Sequence, residues 1–125
     1  MTAHASKRLN DIVTATLSSV VVSSAWRYMI LNGAMTVKGF EYLLAIHGFI
    51  GKVVGHTCSD EDVDDRAEQI RRYVAEHGIR RWVAIDDGQP DLSALGDRWI
   101  KTESKVGLTA TEVALAMARL TRQIW

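Results

Sequence analysis

The chain has 125 residues, of which 47% are hydrophobic and 24% are charged, as in an ordinary globular domain. The 15 basic and 15 acidic residues give zero formal net charge, which excludes a global electrostatic attraction to nucleic acid or to an anionic membrane. No apolar run is long enough for a transmembrane helix, and the single cysteine, Cys58, excludes an intramolecular disulfide. We therefore expect one cytoplasmic domain that spans residues 1–125.

Helices and strands are predicted to alternate in the first half of the chain. Apolar residues at helical spacing predict an amphipathic helix over residues 7–17, and three successive valines predict a buried strand over residues 20–22. A second helix is predicted over residues 37–46, with Gly48 as its C-cap. A short second strand is predicted over residues 50–54.

The second half of the chain continues this alternation. Ser59 is predicted to cap a third helix over residues 61–77, which ends at Gly78. Three further elements are predicted: a strand over residues 82–85, an edge strand at residues 99–100, and a last helix opened by a capping box at Thr109 and Glu112.

This alternation predicts an α/β fold with a mostly parallel sheet and helices on both faces, which is a three-layer α/β/α arrangement. In such sheets a ligand binds at the carboxyl ends of the strands. Five polar residues follow the predicted strands at those ends: Ser23, Ser24, Arg27, Asp86 and Asp87.

Each of these residues has a chemical and a purely structural interpretation. Asp86 and Asp87 offer carboxylate oxygens to a hard cation such as Mg²⁺, or they form a solvated acidic turn before Gly88. The hydroxyl groups of Ser23 and Ser24 bind a phosphate, or they cap a helix or a turn. Arg27 binds a phosphate, or it pairs with a surface carboxylate.

Three segments in this order resemble motifs of one protein family. They are Val20-Val-Val-Ser-Ser-Ala-Trp-Arg27, Trp82-Val-Ala-Ile-Asp-Asp87 and Val106-Gly-Leu-Thr109. The first resembles the second motif, and the second the fourth, metal-binding motif, of haloacid-dehalogenase-like (HAD) phosphohydrolases. The subgroup is the HAD domain associated with Swiss Army Knife RNA repair proteins, and the resemblance covers nearly the whole chain.

This resemblance implies a Rossmann-like fold and Mg²⁺-dependent hydrolysis of a phosphomonoester, on a small molecule or at a nucleic-acid end. It implies that Ser23 contacts the substrate phosphate and that Asp86 and Asp87 hold Mg²⁺. The basic residue of the third motif is best matched by Arg66, which would stabilise the phosphoryl charge. The alternative for Arg66 is an exposed helical residue that pairs with Asp62.

The chain departs from the family pattern at its start. HAD phosphatases attack phosphorus with an aspartate at the end of the first, central strand, and a second aspartate two residues later acts as acid and base. No apolar strand ending in Asp-x-Asp-Gly precedes the first predicted helix, and Asp11 lies inside that helix. We therefore expect an N-terminally incomplete domain whose sheet lacks the central strand.

The absence of the central strand leaves alternatives for the sheet and for the function. The strands at residues 20–22 and 82–85 either pair directly, or the gap is filled by a partner chain or by the N-terminus. The function predicted for the chain is that of a HAD-like domain without catalytic activity. The alternative is a non-catalytic interaction or structural protein that forms a homodimer.

Overall fold

The computed structural model describes residues 3–23, 36–57, 65–87, 92–103 and 107–122. Five helical segments and four strands lie in these ranges: α1 (Ala3–Thr16), β1 (Val20–Val22), α2 (Val37–Ile46), β2 (Val53–His56), α3 (Arg66–Glu76), β3 (Ala84–Asp86), a 3₁₀ helix (Ser93–Arg98), β4 (Trp99–Lys101) and α4 (Ala110–Leu120). No helix in the described ranges is both long and apolar enough to cross a membrane. The domain is therefore a small α/β domain with parallel strands.

The four described strands form two separate parallel pairs. β1 pairs with β2, and β3 pairs with β4. Within the described ranges, β1 and β3 belong to different two-stranded sheets. The predicted alternative in which these two strands pair directly is therefore wrong. Each of them therefore uses one edge for a described neighbour.

Helix α1 packs against both strand pairs through two consecutive residues. Val13 belongs to a buried cluster with Val22 of β1, Val53 of β2 and residues of α2. Ile12 belongs to a second cluster, with Ile100 of β4 and residues of α4. Burial of these two neighbours against different clusters connects the halves of the fold on one face.

Helix α3 covers the opposite face of the β3–β4 pair. Ala67 and Ile70 are buried in a third cluster, which includes Ala84 of β3 and Trp99 of β4. Successive residues of a strand point to opposite faces, which is why Ile85 packs with the α1 and α4 cluster instead. The β3–β4 pair therefore lies between two helical layers, as the three-layer prediction requires locally.

The predicted second strand is wrong in position. It was expected over residues 50–54, but β2 runs from Val53 to His56. Asn10 explains the late start, because its side chain donates to the Gly48 carbonyl and accepts from the Ile50 amide, which holds this segment in a turn.

The start of the third helix is also wrong. The helix begins at Arg66, not at residue 61, and its N-cap is Asp65, whose carboxylate accepts from the amides of Ala67 and Glu68. Ser59 lies outside the described residues and is not the cap of this helix. The predicted end is confirmed, because Gly78 follows the helix with a positive φ of 62°.

The capping box at the last helix forms differently from the prediction. Thr109 is the N-cap of α4, but its hydroxyl makes no capping hydrogen bond to the helix backbone. The Thr109 hydroxyl donates instead to the carboxylate of Glu112. That hydrogen bond is the main reason why the pKa of Glu112 is lowered.

Candidate functional site

Three polar residues occupy the carboxyl ends of the described strands. Ser23 directly follows β1, Thr57 directly follows β2, and Asp86 is the last residue of β3. Asp87 comes next and is half-buried. Ser24 and Arg27, which the sequence analysis proposed as phosphate-binding residues, lie outside the described residues.

Arg66 and Asp86 form a buried ion pair. The guanidinium Nη2 of Arg66 lies 2.6 Å from Oδ2 of Asp86, and the two side chains are only 7% and 16% exposed. Asp65 is the N-cap of α3, which makes Arg66 the first residue of the helix. Arg66 is therefore not the exposed helical residue of the alternative interpretation.

The backbone carbonyl of Asp86 is also hydrogen-bonded. Its carbonyl accepts hydrogen bonds from the Thr102 amide at 2.9 Å and from the Trp99 indole Nε1 at 3.2 Å. Both donors come from β4 or directly after it. The carboxylate thus has a fixed place and a charged partner before any ligand arrives, which reduces the cost of reorganisation on binding.

The donor chemistry at this strand end suits Mg²⁺. Two consecutive carboxylates, Asp86 and Asp87, provide hard oxygen atoms, and Mg²⁺ in proteins takes one or two carboxylates with waters and substrate phosphate. Among the described residues there is no group of three or more His, Cys, Asp or Glu side chains that could enclose a metal ion. A Mg²⁺ ion held by Asp86 and Asp87 would take its remaining ligands from water and substrate phosphate.

A β-bulge determines which residue of β2 lies beside Ser23. Val20 pairs with Val53, but Val21 pairs with Gly55, so Val54 is an extra residue on β2. Val22 then pairs with His56, and Thr57 donates its amide to the Val22 carbonyl at 3.0 Å. The next residue pair in this register is Ser23 and Thr57.

Continued by one residue past the strand ends, this register would place both hydroxyl groups on the side of the sheet that faces Tyr73 of α3. A Cβ atom at Gly55 would collide with the Tyr73 hydroxyl, so this side of β2 lies against the Tyr73 side chain of α3. Residues two apart on a strand share a face, so extension of the two strands by one residue would place Thr57 on the face of Gly55 and Ser23 on the face of Val21. Asp86 also lies on its strand's α3 face, two residues after Ala84.

Thr57 is a polar residue that the sequence analysis missed. It is 7% exposed, and its hydroxyl has no hydrogen-bond partner within the part of the chain that the structure describes. It was missed because the strand was predicted to end at residue 54. The β-branched residues Val53, Val54 and Thr57 were the available signal for a strand that extends further.

The comparison with protein-family models gives a match over most of the chain. The family model for the HAD domain in Swiss Army Knife RNA repair proteins matches residues 1–113, which include Ser23, Arg66, Asp86 and Asp87. Neither the curated proteins nor the solved structures give a match. The match covers most of the chain and agrees with the family resemblance of the sequence motifs, so this protein belongs to the family of HAD domains found in Swiss Army Knife RNA repair proteins.

Proposed function

We propose that this chain is a phosphohydrolase-type HAD domain that binds Mg²⁺ and the phosphate of a phosphomonoester but lacks the nucleophile for turnover. The family membership supports the HAD ancestry and phosphorylated substrates as a class. The single observation that carries the proposal is the buried ion pair between Arg66 and Asp86 at the carboxyl end of β3. The domain would be the Rossmann-like HAD fold over residues 1–125.

Each residue of the site has a role in this proposal. Asp86 and Asp87 would hold Mg²⁺, which when bound neutralises charge on the phosphoryl oxygens. Ser23 would donate its hydroxyl to a phosphate oxygen, with Ser24 and Arg27 as further phosphate ligands. Arg66 would orient Asp86 and add positive charge beside the phosphoryl group.

The missing chemistry is the attack on phosphorus. The 125 residues contain no apolar strand that ends in Asp-x-Asp ahead of α1. Asp11 is no substitute, because it lies within α1 and is exposed. Phosphate and Mg²⁺ would therefore be bound with no carboxylate positioned to form an aspartyl phosphate.

The test combines binding with turnover. We expect calorimetry to detect Mg²⁺ binding that Asp86→Asn abolishes, while the matched variant Asp97→Asn, at an exposed carboxylate in the 3₁₀ helix, leaves it unchanged. We expect negligible hydrolysis of a generic phosphomonoester in the presence of Mg²⁺. Robust hydrolysis that Asp86→Asn removes would disprove the inactivity, and absence of Mg²⁺ binding would disprove the metal site.

A non-catalytic homodimer is the second candidate function. What supports it is that, within the described ranges, β1 pairs only with β2 and β3 pairs only with β4, which leaves strand edges for another chain. Size-exclusion chromatography with light scattering tests this directly. A dimer at micromolar concentration favours this function, and a monomer counts against it.

A further inference from the structure

We infer that Thr57 is a second phosphate-binding hydroxyl, which acts beside Ser23. This inference rests on the proposed phosphate site and extends it by a residue that the family motifs in this sequence do not include. The ligand would be the phosphate group of a phosphomonoester or inorganic phosphate itself. The hydroxyl of Thr57 would donate one hydrogen bond to a phosphate oxygen.

The first support is the unsatisfied state of the Thr57 hydroxyl. Buried hydroxyl groups in proteins are nearly always hydrogen-bonded, because loss of water without a replacement partner is costly. Thr57 is 7% exposed, and its Oγ1 has no partner among the described residues. A buried donor without a partner at a strand's carboxyl end is positioned to bind a ligand group.

The second support is the strand register. The bulge at Val54 moves the pairing by one residue, so that Thr57, and not His56, lies opposite Ser23. Neighbouring strands are about 4.8 Å apart, a separation that one phosphate group can bridge with two of its oxygens. β-bulges of this kind often re-aim side chains beside functional sites.

The third support is the common face. Thr57 follows Gly55 by two residues, and Gly55 lies on the face of β2 that approaches Tyr73 of α3. The N-terminus of the same helix carries Arg66, which contacts Asp86. Extension of the strand alternation to Thr57 would place its hydroxyl on the α3 side, the side on which Arg66 meets Asp86.

The experiment measures the affinity for inorganic phosphate in the presence of Mg²⁺ by isothermal titration calorimetry. We expect Thr57→Val, which keeps the shape and removes the hydroxyl, to weaken binding roughly ten-fold or more, since a hydrogen bond to a charged group is lost. Thr57→Ser is expected to restore most of the affinity. Thr16→Val is the matched control, because its hydroxyl already bonds to the Ile12 carbonyl within α1, and it should leave the affinity unchanged.

Thermal unfolding separates a binding role from a structural one. Because Thr57→Val removes a buried hydroxyl without a described partner, we expect its Tm to be equal to or higher than that of the wild type. A lower Tm with unchanged phosphate affinity would assign Thr57 to folding and overturn the inference.

The Ser23→Ala variant distinguishes failure of this inference from failure of the proposed function. If Ser23→Ala weakens phosphate binding and Thr57→Val does not, the phosphate site stands and the role of Thr57 is wrong. If the wild type binds no phosphate in the presence of Mg²⁺, both the site and the role of Thr57 are wrong.

Discussion

The β3–β4 pair and the β1–β2 pair differ in how completely their polar groups are satisfied. At the end of β3, the Asp86 carboxylate binds Arg66, and its carbonyl accepts from Thr102 and Trp99. At the end of β2, the buried Thr57 hydroxyl has no partner in the described part of the chain.

The difference extends to the packing of the two pairs. β3 and β4 pair in a regular register, with apolar clusters on both faces. β1 and β2 contain a bulge at Val54, and one face of β2 approaches a tyrosine hydroxyl. The end of β3 therefore has its carboxylate and carbonyl held by the fold, whereas the Thr57 hydroxyl at the end of β2 keeps a hydrogen-bonding capacity that no described residue uses.

Among the variants that test this comparison, replacement of Arg66 is expected to change the free energy of unfolding most. We expect Arg66→Met to lower the free energy of unfolding by about 3–5 kcal/mol, because it leaves the Asp86 carboxylate buried without its charged partner. Urea denaturation measures this value. The matched control is Arg72→Met on the same helix, whose exposed pair with Glu68 is worth less than about 1 kcal/mol. Equal losses for the two variants would show that the β3 end is not preorganised by this pair.

The next effect concerns the contact between α3 and the β1–β2 pair. Gly55→Ala would place a Cβ against the Tyr73 hydroxyl, and we expect a loss of about 1–3 kcal/mol in the free energy of unfolding. Combination with Tyr73→Phe should recover part of this loss, because the colliding oxygen is removed. A double-mutant cycle by urea denaturation measures the coupling. Additive effects would contradict the close approach of helix and strand.

A smaller effect is expected at the turn that precedes β2. Asn10→Ala removes the hydrogen bonds to the Gly48 carbonyl and the Ile50 amide, both 2.9 Å long, and should cost about 0.5–1 kcal/mol because the site is exposed. Asn10→Asp keeps the acceptor and should cost less. Chemical denaturation of both variants is the measurement. If Asn10→Asp lowers the free energy of unfolding as much as Asn10→Ala does, the hydrogen bond donated to the Gly48 carbonyl alone holds the turn.

The smallest effect is a change in titration at the start of α4. The hydrogen bond from Thr109 lowers the pKa of Glu112, so Thr109→Val should raise that pKa toward its ordinary value. Since the pKa is lower in the folded state, the stability from this bond is present above the unfolded pKa and is lost as the pH falls through the folded pKa. NMR titration of the Glu112 carboxyl carbon measures the shift, and Thr111→Val is the matched control. An unchanged pKa in Thr109→Val would contradict the hydrogen bond.

Local patterns predicted the elements whose structure depends on their own residues. The three valines of β1 and the apolar periodicity of α2 gave the bounds that the structure has, and Gly48 and Gly78 follow α2 and α3 with positive φ. These signals reside in a few consecutive side chains, so the rest of the fold does not change them.

Features that depend on distant contacts were not predicted. The position of β2 depends on Asn10, which is 40 residues before Ile50. Similarity to family motifs singled out Arg66, but its burial and its contact with Asp86, 20 residues away, required the folded chain. The roles of Ser23, Asp86 and Asp87 and their convergence around one ligand stay predictions.

The additional residue Val54 has a consequence for how relatives of this domain are compared. A relative of equal length whose strands paired without this register shift would bring its counterpart of His56 opposite its counterpart of Ser23, and an imidazole would replace a hydroxyl at that point. A relative that lacks the extra residue would, by contrast, keep its counterparts of Thr57 and Ser23 opposite each other. An alignment of strands of equal length would therefore conceal a changed register, whereas a one-residue gap at Val54 preserves the pairing.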